Sequence, residues 1–451
     1  MYLIQILAIT IWFFVSVSAL FHFKKTVLIW MMARLLLNAQ IAVKYNSPGM
    51  STVIAVDMTL ILIYFFKYRT KKRKEGLRFE KFPLTAAFWI TLASFLLSSM
   101  FAIVPLSSGL VATLKYFVSN FGIIFVFFKC LNTEEDIKLY VKTGFIVAIV
   151  ISCLGLFESI FKDNPWLDFV YLYSPHDEET RGRLWYTPPF VSGGLQMRLG
   201  MVRAYSTFGI HIAFGAACVF LLFLFMSIAR YRFYPSVSNK KLYAVILLLL
   251  AGALASNSKT PLVGLVVLVF AFYGLGQIFQ PKIILPLVAV IVAVFVFFPD
   301  IIANFMTLFN PEMADEAGGS TVEMRHSQFD VAFRLFNMNP LFGNGMGSLH
   351  VMRDFGNNAE ILGAESSMLT ILPERGLIGV VAYVSLYLSL FKYGIKYLPN
   401  KLAFFYLLSL AVMEFATGFL DQAIWINVYL CVIRLFQIRR IESFKTVASH
   451  V

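Results

Sequence analysis

The stretch ILGAESSMLTILPERGLIG (361–379) sets Glu365 at the mouth of an apolar segment, with Pro373, Glu374, Arg375 and Gly376 one to two helical turns deeper. Ionisable groups inside an apolar span are expensive unless they pair or face a wet cavity. Glu374 and Arg375 therefore read either as a structural ion pair or as part of a site. Glu365 precedes Ser366 and Ser367, where a carboxylate and hydroxyls favour a helix start. Three further cations stand where apolar sequence meets loop. Arg203 lies five residues ahead of Phe208, and there it is either a snorkelling anchor or a ligand for an anion. Lys259 immediately precedes Thr260-Pro261, a helix-starting pair. Arg325 falls in the first turn of MRHSQFDVAFRLFNMNPLFGNGMG (324–347), whose Phe329, Ala332, Phe333 and Phe336 recur at helical spacing. That amphipathic helix is expected to end before Asn339-Pro340. Pro340, Gly343, Gly345 and Gly347 then make a turn where bulky side chains would block a close backbone approach.

The elements that must position these residues follow from composition. Hydrophobic residues make up 59% of the 451 and charged residues only 14%, with 47 Phe and repeated apolar runs. A soluble globule is excluded. In lipid each span must satisfy its own backbone hydrogen bonds, and the runs lack the two-residue alternation of a membrane barrel, so the spans are helices. The expectation is an all-α polytopic membrane protein of about 12 to 13 transmembrane helices, each near the ~20 residues a bilayer core needs. The apolar runs place them at 2–21, 26–43, 50–66, 84–104, 109–128, 143–160, 207–228, 242–256, 261–279, 283–298, 368–391, 402–419 and 422–437.

Lys and Arg collect in alternate connectors, and 67–81 alone holds eight of them. Short cytoplasmic loops carry such an excess, so this connector, HFKK (22–25), 230–241, 392–401 and the basic C-terminal tail belong inside. The first residues are then outside, and 2–21, with no basic n-region or small-residue cleavage site, is expected to be a retained span. The net charge of +13 is this topogenic signal, not a nucleic-acid surface. The four Cys lie in or beside spans, which gives neither a disulfide framework nor metal spacing. Arg34, Asp57, Lys115, Glu158 and Glu414 also interrupt apolar runs, and Arg34 with Asp57 is expected to pair between neighbouring spans.

Two connectors break the short-loop pattern, and both fall outside. They are 162–206, aromatic and mixed in charge, and 299–367, which holds the amphipathic helix. Loops of this length with such patterning are usually folded and functional. The chain is therefore read as one integral-membrane domain, 1–451, with two outer elaborations.

The order R-A-Y-S-T-F-G from Arg203, N-S-K-T-P-L-V-G (257–264), Arg325 with its helix and N-P-L-F-G-N-G-M-G, then E-S-S-M-L-T-I-L-P-E-R-G-L-I-G, resembles the O-antigen ligase and O-antigen polymerase (Wzy) superfamily. The resemblance covers roughly residues 200 to 390 and implies a multi-spanning glycosyltransferase of GT-C-like architecture. It further implies action at the periplasmic face of the bacterial inner membrane on glycans linked to undecaprenyl diphosphate, without metal or other cofactor. Arg203 and Arg325 match the family arginines that hold the diphosphate, a task suited to a permanently charged, forked donor. Lys259 stands where the family usually has Arg and keeps the charge without the fork. Arg375 joins these as a substrate-binding candidate. At Glu365 the ligases usually carry a His, the base that activates the acceptor hydroxyl, whereas polymerases often carry an acid. A carboxylate raised in pKa by an apolar interface can take that proton, so Glu365 is either the base or a helix cap. The resemblance thus implies an O-antigen polymerase acting on a lipid-linked donor and acceptor, with membrane lipid and a chain-length regulator as partners. A ligase to lipid A core or protein is the alternative, and a polysaccharide flippase is a further one.

Overall fold

The computed structural model describes residues 2–37, 41–45, 49–69, 81–103, 105–174, 197–198, 201–233, 238–278, 322–349, 366–417 and 422–448. It is an all-α membrane bundle with two short β-hairpins. Among the described residues, five helical stretches are long and apolar enough to cross a membrane: Leu3–Leu36, Leu106–Cys130, Glu134–Phe161, His211–Tyr231 and Ser367–Ile395. Side chains such as Phe21, Phe66 and Met100 project outward from the bundle, as a lipid-facing surface requires. The expected span 283–298 lies outside the described residues, as do 175–196 of the first long loop and most of 299–367.

The first helix, α1 (Leu3–Ala33), leaves helical geometry at His22 and folds back on itself there. Ser18 Oγ and Thr26 Oγ1 are only 2.8 Å apart across the bend, and Gln5 Nε2 donates to the Val43 carbonyl at 2.8 Å. Residues 2–21 and the stretch after 26 are therefore two antiparallel spans, as expected, but the second ends sooner. It closes in a 3-10 turn at Arg34–Leu36, and Ala42–Lys44 (β1) pairs with Met50–Ser51 (β2). The early stop has a cause in the polar groups gathered there. Arg34 meets Asp57 of α2 (Thr52–Ile63) at 3.3 Å with both side chains buried, and Thr52 Oγ1 donates to the Ile41 carbonyl. The Arg34–Asp57 pair joins neighbouring spans as anticipated.

The remaining helices follow in chain order. They are α3 (Thr85–Met100), α4 (Leu106–Cys130, with a π turn at Val118–Gly122), α5 (Glu134–Phe161), α6 (Pro165–Leu172) and α7 (His211–Tyr231). After these come α8 (Asn239–Ala255), α9 (Lys259–Ile278), α10 (Val322–Phe336), α11 (Ser367–Ile395), α12 (Asn400–Ala416) and α13 (Gln422–Ala448). One end of the bundle is basic and peripheral, with Lys67 Nζ on the Leu20 carbonyl, Lys24 on Asp136 at 2.6 Å and Arg439 on the Tyr231 carbonyl. Helix α5 starts there with a capping box of Thr133 and Asp136, two turns before the apolar run that marks it in the sequence. The opposite end gathers Arg34, Glu158, Arg203, Lys259 and Arg375. At the core between them, the Tyr406 ring stacks on Phe223 (3.9 Å) and Tyr429 (5.1 Å), tying α7, α12 and α13 together.

Candidate functional site

Arg203 follows a tight hairpin, Met197–Arg198 (β3) against Met201–Val202 (β4), and precedes α7. The segment after it is clamped from two sides. Glu158, fully buried at the end of α5, accepts at one oxygen, Oε2, from the backbone N–H of Tyr205 (2.8 Å), the N–H of Ser206 (2.8 Å) and Asn164 Nδ2 (2.7 Å). Asn164 Nδ2 also reaches the Ser206 carbonyl at 2.9 Å, while its Oδ1 caps α6 through the Leu167 N–H. Ser206 is held in left-handed backbone (φ 55°), and its hydroxyl donates to the Ile151 carbonyl at 2.6 Å. Burial pushes the Tyr205 phenol well above its usual range, against the opposing pull of the Arg203 charge. Sequence reasoning noted Glu158 only as a charge in an apolar run. Its function as a backbone clamp had one signal, a lone acid six residues before Asn164-Pro165.

The Ala204 N–H donates to the Ala255 carbonyl at 3.1 Å, which joins the Arg203 segment to the end of α8. Lys259 opens α9 four residues later. The intervening Ser256, Asn257 and Ser258 are buried, with Asn257 in left-handed backbone (φ 43°). The structure thus brings the Arg203 and Lys259 backbones to one place.

The third component explains the Pro-Glu-Arg-Gly motif. Helix α11 is broken at Gly376 (φ 59°, ψ −156°), and the Gly-rich turn after α10 fills the gap. The Leu377 and Ile378 N–H groups donate to the Pro340 and Leu341 carbonyls. In return, the Asn344 and Gly345 N–H groups donate to the Pro373 and Glu374 carbonyls, all between 2.9 and 3.2 Å. A Cβ on Gly376 would sit 2.6 Å from the Pro340 oxygen, and one on Gly343 would sit 2.4 Å from the Arg375 nitrogen. The close approach anticipated for this turn is present, and its target is the backbone of α11. Glu374 Oε1 accepts the Gly347 N–H at 2.9 Å, and Ser98 Oγ of α3 donates to the Glu374 carbonyl at 2.5 Å.

Glu374 and Arg375 do not pair with each other, which corrects the ion-pair reading of this motif. The Glu374 carboxylate is turned to the Gly-rich turn, whereas the Arg375 guanidinium lies over the Phe95 ring of α3, 4.5 Å from its centre. Consecutive residues at a helix break project apart, so adjacency in sequence did not decide their partners.

The amphipathic helix forms as expected over Val322–Phe336 and packs on α11. Val331, Ala332 and Leu335 are buried with Leu349 and Leu369, and Phe329 stacks on Phe415 of α12. The Arg325 backbone is in its first turn, at the same end of the bundle as Arg203 and Lys259. Glu365 lies outside the described residues. Ser366, next to it, caps α11 by accepting the Met368 N–H at 3.2 Å.

These features define a multi-spanning membrane protein with a helix, α11, re-stitched at its break by a Gly-rich turn. Residues 244–384, from α8 through the break in α11, match the family model of the O-antigen ligase (Wzy_C). The match supports a place for this part of the chain in the O-antigen ligase and polymerase superfamily. No curated protein and no solved structure matches it.

Proposed function

We propose that this protein is an O-antigen polymerase, a metal-independent glycosyltransferase that joins a growing glycan to a lipid-linked repeat unit. Its basic end faces the cytoplasm by the positive-inside rule, so the Arg203 end faces the periplasm from the inner membrane. The observation that carries the reading is the Ala204–Ala255 backbone bond, which sets Arg203 beside the start of α9 with Lys259, within the span that matches the family. Arg203, Arg325 and Lys259 hold the undecaprenyl diphosphate of the donor. The acceptor sugar hydroxyl attacks the donor's anomeric carbon, and the bond from that carbon to the diphosphate oxygen breaks. The diphosphate leaves with the electron pair, its charge stabilised by the guanidinium donors, and the hydroxyl proton passes to Glu365.

The broken α11 is a feature shared with transporters, whose half-helices expose backbone groups to substrate. Here the Gly-rich turn takes up those groups, which supports a rigid site over a moving gate. The test is the membrane glycan profile of a strain lacking the protein. Loss of long polymer with survival of a single-repeat glycan is the polymerase outcome. Loss of every capped form assigns ligase activity, and accumulation of repeat units on the cytoplasmic leaflet assigns a flippase.

A further inference from the structure

Arg375 is 9% exposed, yet among the described residues its guanidinium meets no hydrogen-bond or ion-pair partner; around it lie the Phe95 ring, Tyr116, Tyr383 and Glu374. A guanidinium carries five N–H donors, and leaving them unmet inside a protein is costly. The adjacent carboxylate and the one bonded to Tyr383 are both committed elsewhere. Glu374 takes the Gly347 N–H, and Glu414 of α12 takes the Tyr383 and Tyr387 hydroxyls. Tyr116 likewise donates to Gln422, 2.8 Å away. The fold therefore spends its local acceptors on other donors and keeps one positive charge in reserve, with an aromatic face behind it.

The position is rigid. The Glu374 carbonyl is tied to Ser98, one turn from Phe95, and Phe101 beyond α3 stacks on Phe342 of the Gly-rich turn at 4.7 Å. Met100, Ile103 and Leu106 next to it are at least half exposed and apolar, a flank that faces lipid. Arg375 is framed by α3, α4, α11 and α12, whereas the Arg203 segment is held by α5, α6 and α8.

We infer that Arg375 is a second anion subsite, which binds the phosphate headgroup of the acceptor lipid while Arg203 and Lys259 bind that of the donor. The inference rests on the proposed polymerase reading: joining two lipid-linked glycans brings two phosphate-bearing headgroups to one face. A lipid entering between the ends of α3 and α4 lays its chain on the apolar flank and its phosphate on the guanidinium.

The test is the stoichiometry of undecaprenyl diphosphate on the full-length protein in phosphatidylcholine nanodiscs, read by native mass spectrometry. Wild type is expected to bind two, Arg375→Gln one, and Arg375→Gln combined with Arg203→Gln none. Arg375→Lys, which keeps charge and bulk should the Gln variant fold poorly, is expected to retain the second lipid with about tenfold weaker affinity. Two lipids on Arg375→Gln would show a purely structural arginine and overturn the inference with the polymerase reading untouched. Displacement of the second diphosphate by phosphatidylglycerol would assign the subsite to bulk phospholipid and likewise overturn it. Binding of none by wild type removes the proposed function and this subsite together.

Discussion

Glu158 and Ser206 are 48 residues apart in sequence and meet at 2.8 Å, carboxylate to backbone N–H, inside the end of the bundle that carries Arg203. The same oxygen takes the Tyr205 N–H and the Asn164 amide, so one buried carboxylate fixes the loop that presents the arginine. Removing it strands three donors. Each buried unmet donor costs about 1–3 kcal/mol, so Glu158→Ala is expected to lose folded protein. Glu158→Gln keeps an acceptor and is expected to fold, with polymer reduced and its thermal midpoint in detergent lowered by a few degrees. A Glu158→Ala protein as stable as wild type would show that the clamp does not hold the loop.

Loss of a guanidinium that stabilises the departing diphosphate should remove roughly 2–4 kcal/mol of transition-state stabilisation, the scale of a lost oxyanion donor. Arg203→Ala and Arg325→Ala are each expected to abolish polymer at normal protein level, with Arg→Lys rescuing in part. Lys259→Arg, which keeps the charge and adds the two-donor fork, should be at least as active as wild type. Measured polymer in Arg203→Ala equal to wild type would remove that arginine from the site.

Glu365 separates base from cap by substitution. As a cap, its replacement by Gln costs about 1 kcal/mol or less, because Ser366 itself supplies the side-chain cap of α11. As the base, Glu365→Gln lowers turnover by ~10²- to 10⁴-fold, the usual contribution of a positioned proton acceptor. The expected result is loss in Gln and partial activity in His. Wild-type turnover in Gln would leave catalysis to the cations alone.

Two of the four positive-φ glycines among the described residues, Gly376 and Gly347, differ in surroundings, and that difference is measurable. Both would strain an alanine, at roughly 1–3 kcal/mol each. Only Gly376 also brings its Cβ onto backbone oxygen, whereas nothing lies within 4 Å of a Cβ at Gly347. Gly376→Ala is therefore expected to prevent accumulation of folded protein, and Gly347→Ala to lower stability only modestly. Equal stability of the two variants would argue that the Gly-rich turn does not fill the break in α11.

Topology can be read with reporter tags. Tags at Asp177 and Asp315 should report the periplasm and a tag at Lys72 the cytoplasm. An Asp315 tag in the cytoplasm would reverse the orientation and put the cations on the wrong side for lipid-linked glycans.

Much of this architecture is set by the sequence because its signals are local. Apolar run length dictates helices in lipid, basic connectors dictate their alternation, and the spacing of Phe329, Ala332, Phe333 and Phe336 dictates the amphipathic helix. The Arg34–Asp57 pair was legible too, since two opposite charges in adjacent apolar runs have few other ways to avoid burial alone. Other features depended on contacts between distant segments. The sequence could say that Pro373-Glu374-Arg375-Gly376 was costly in a span, but not which turn would satisfy the broken backbone. The answer lies some thirty residues upstream, where Gly343 allows two backbones to touch. Nor could adjacency show that Glu374 and Arg375 part company, or that Glu158 holds the arginine loop. Hydrogen-bond partners of buried polar groups are chosen by proximity in the folded bundle, and that proximity is created only when the helices pack.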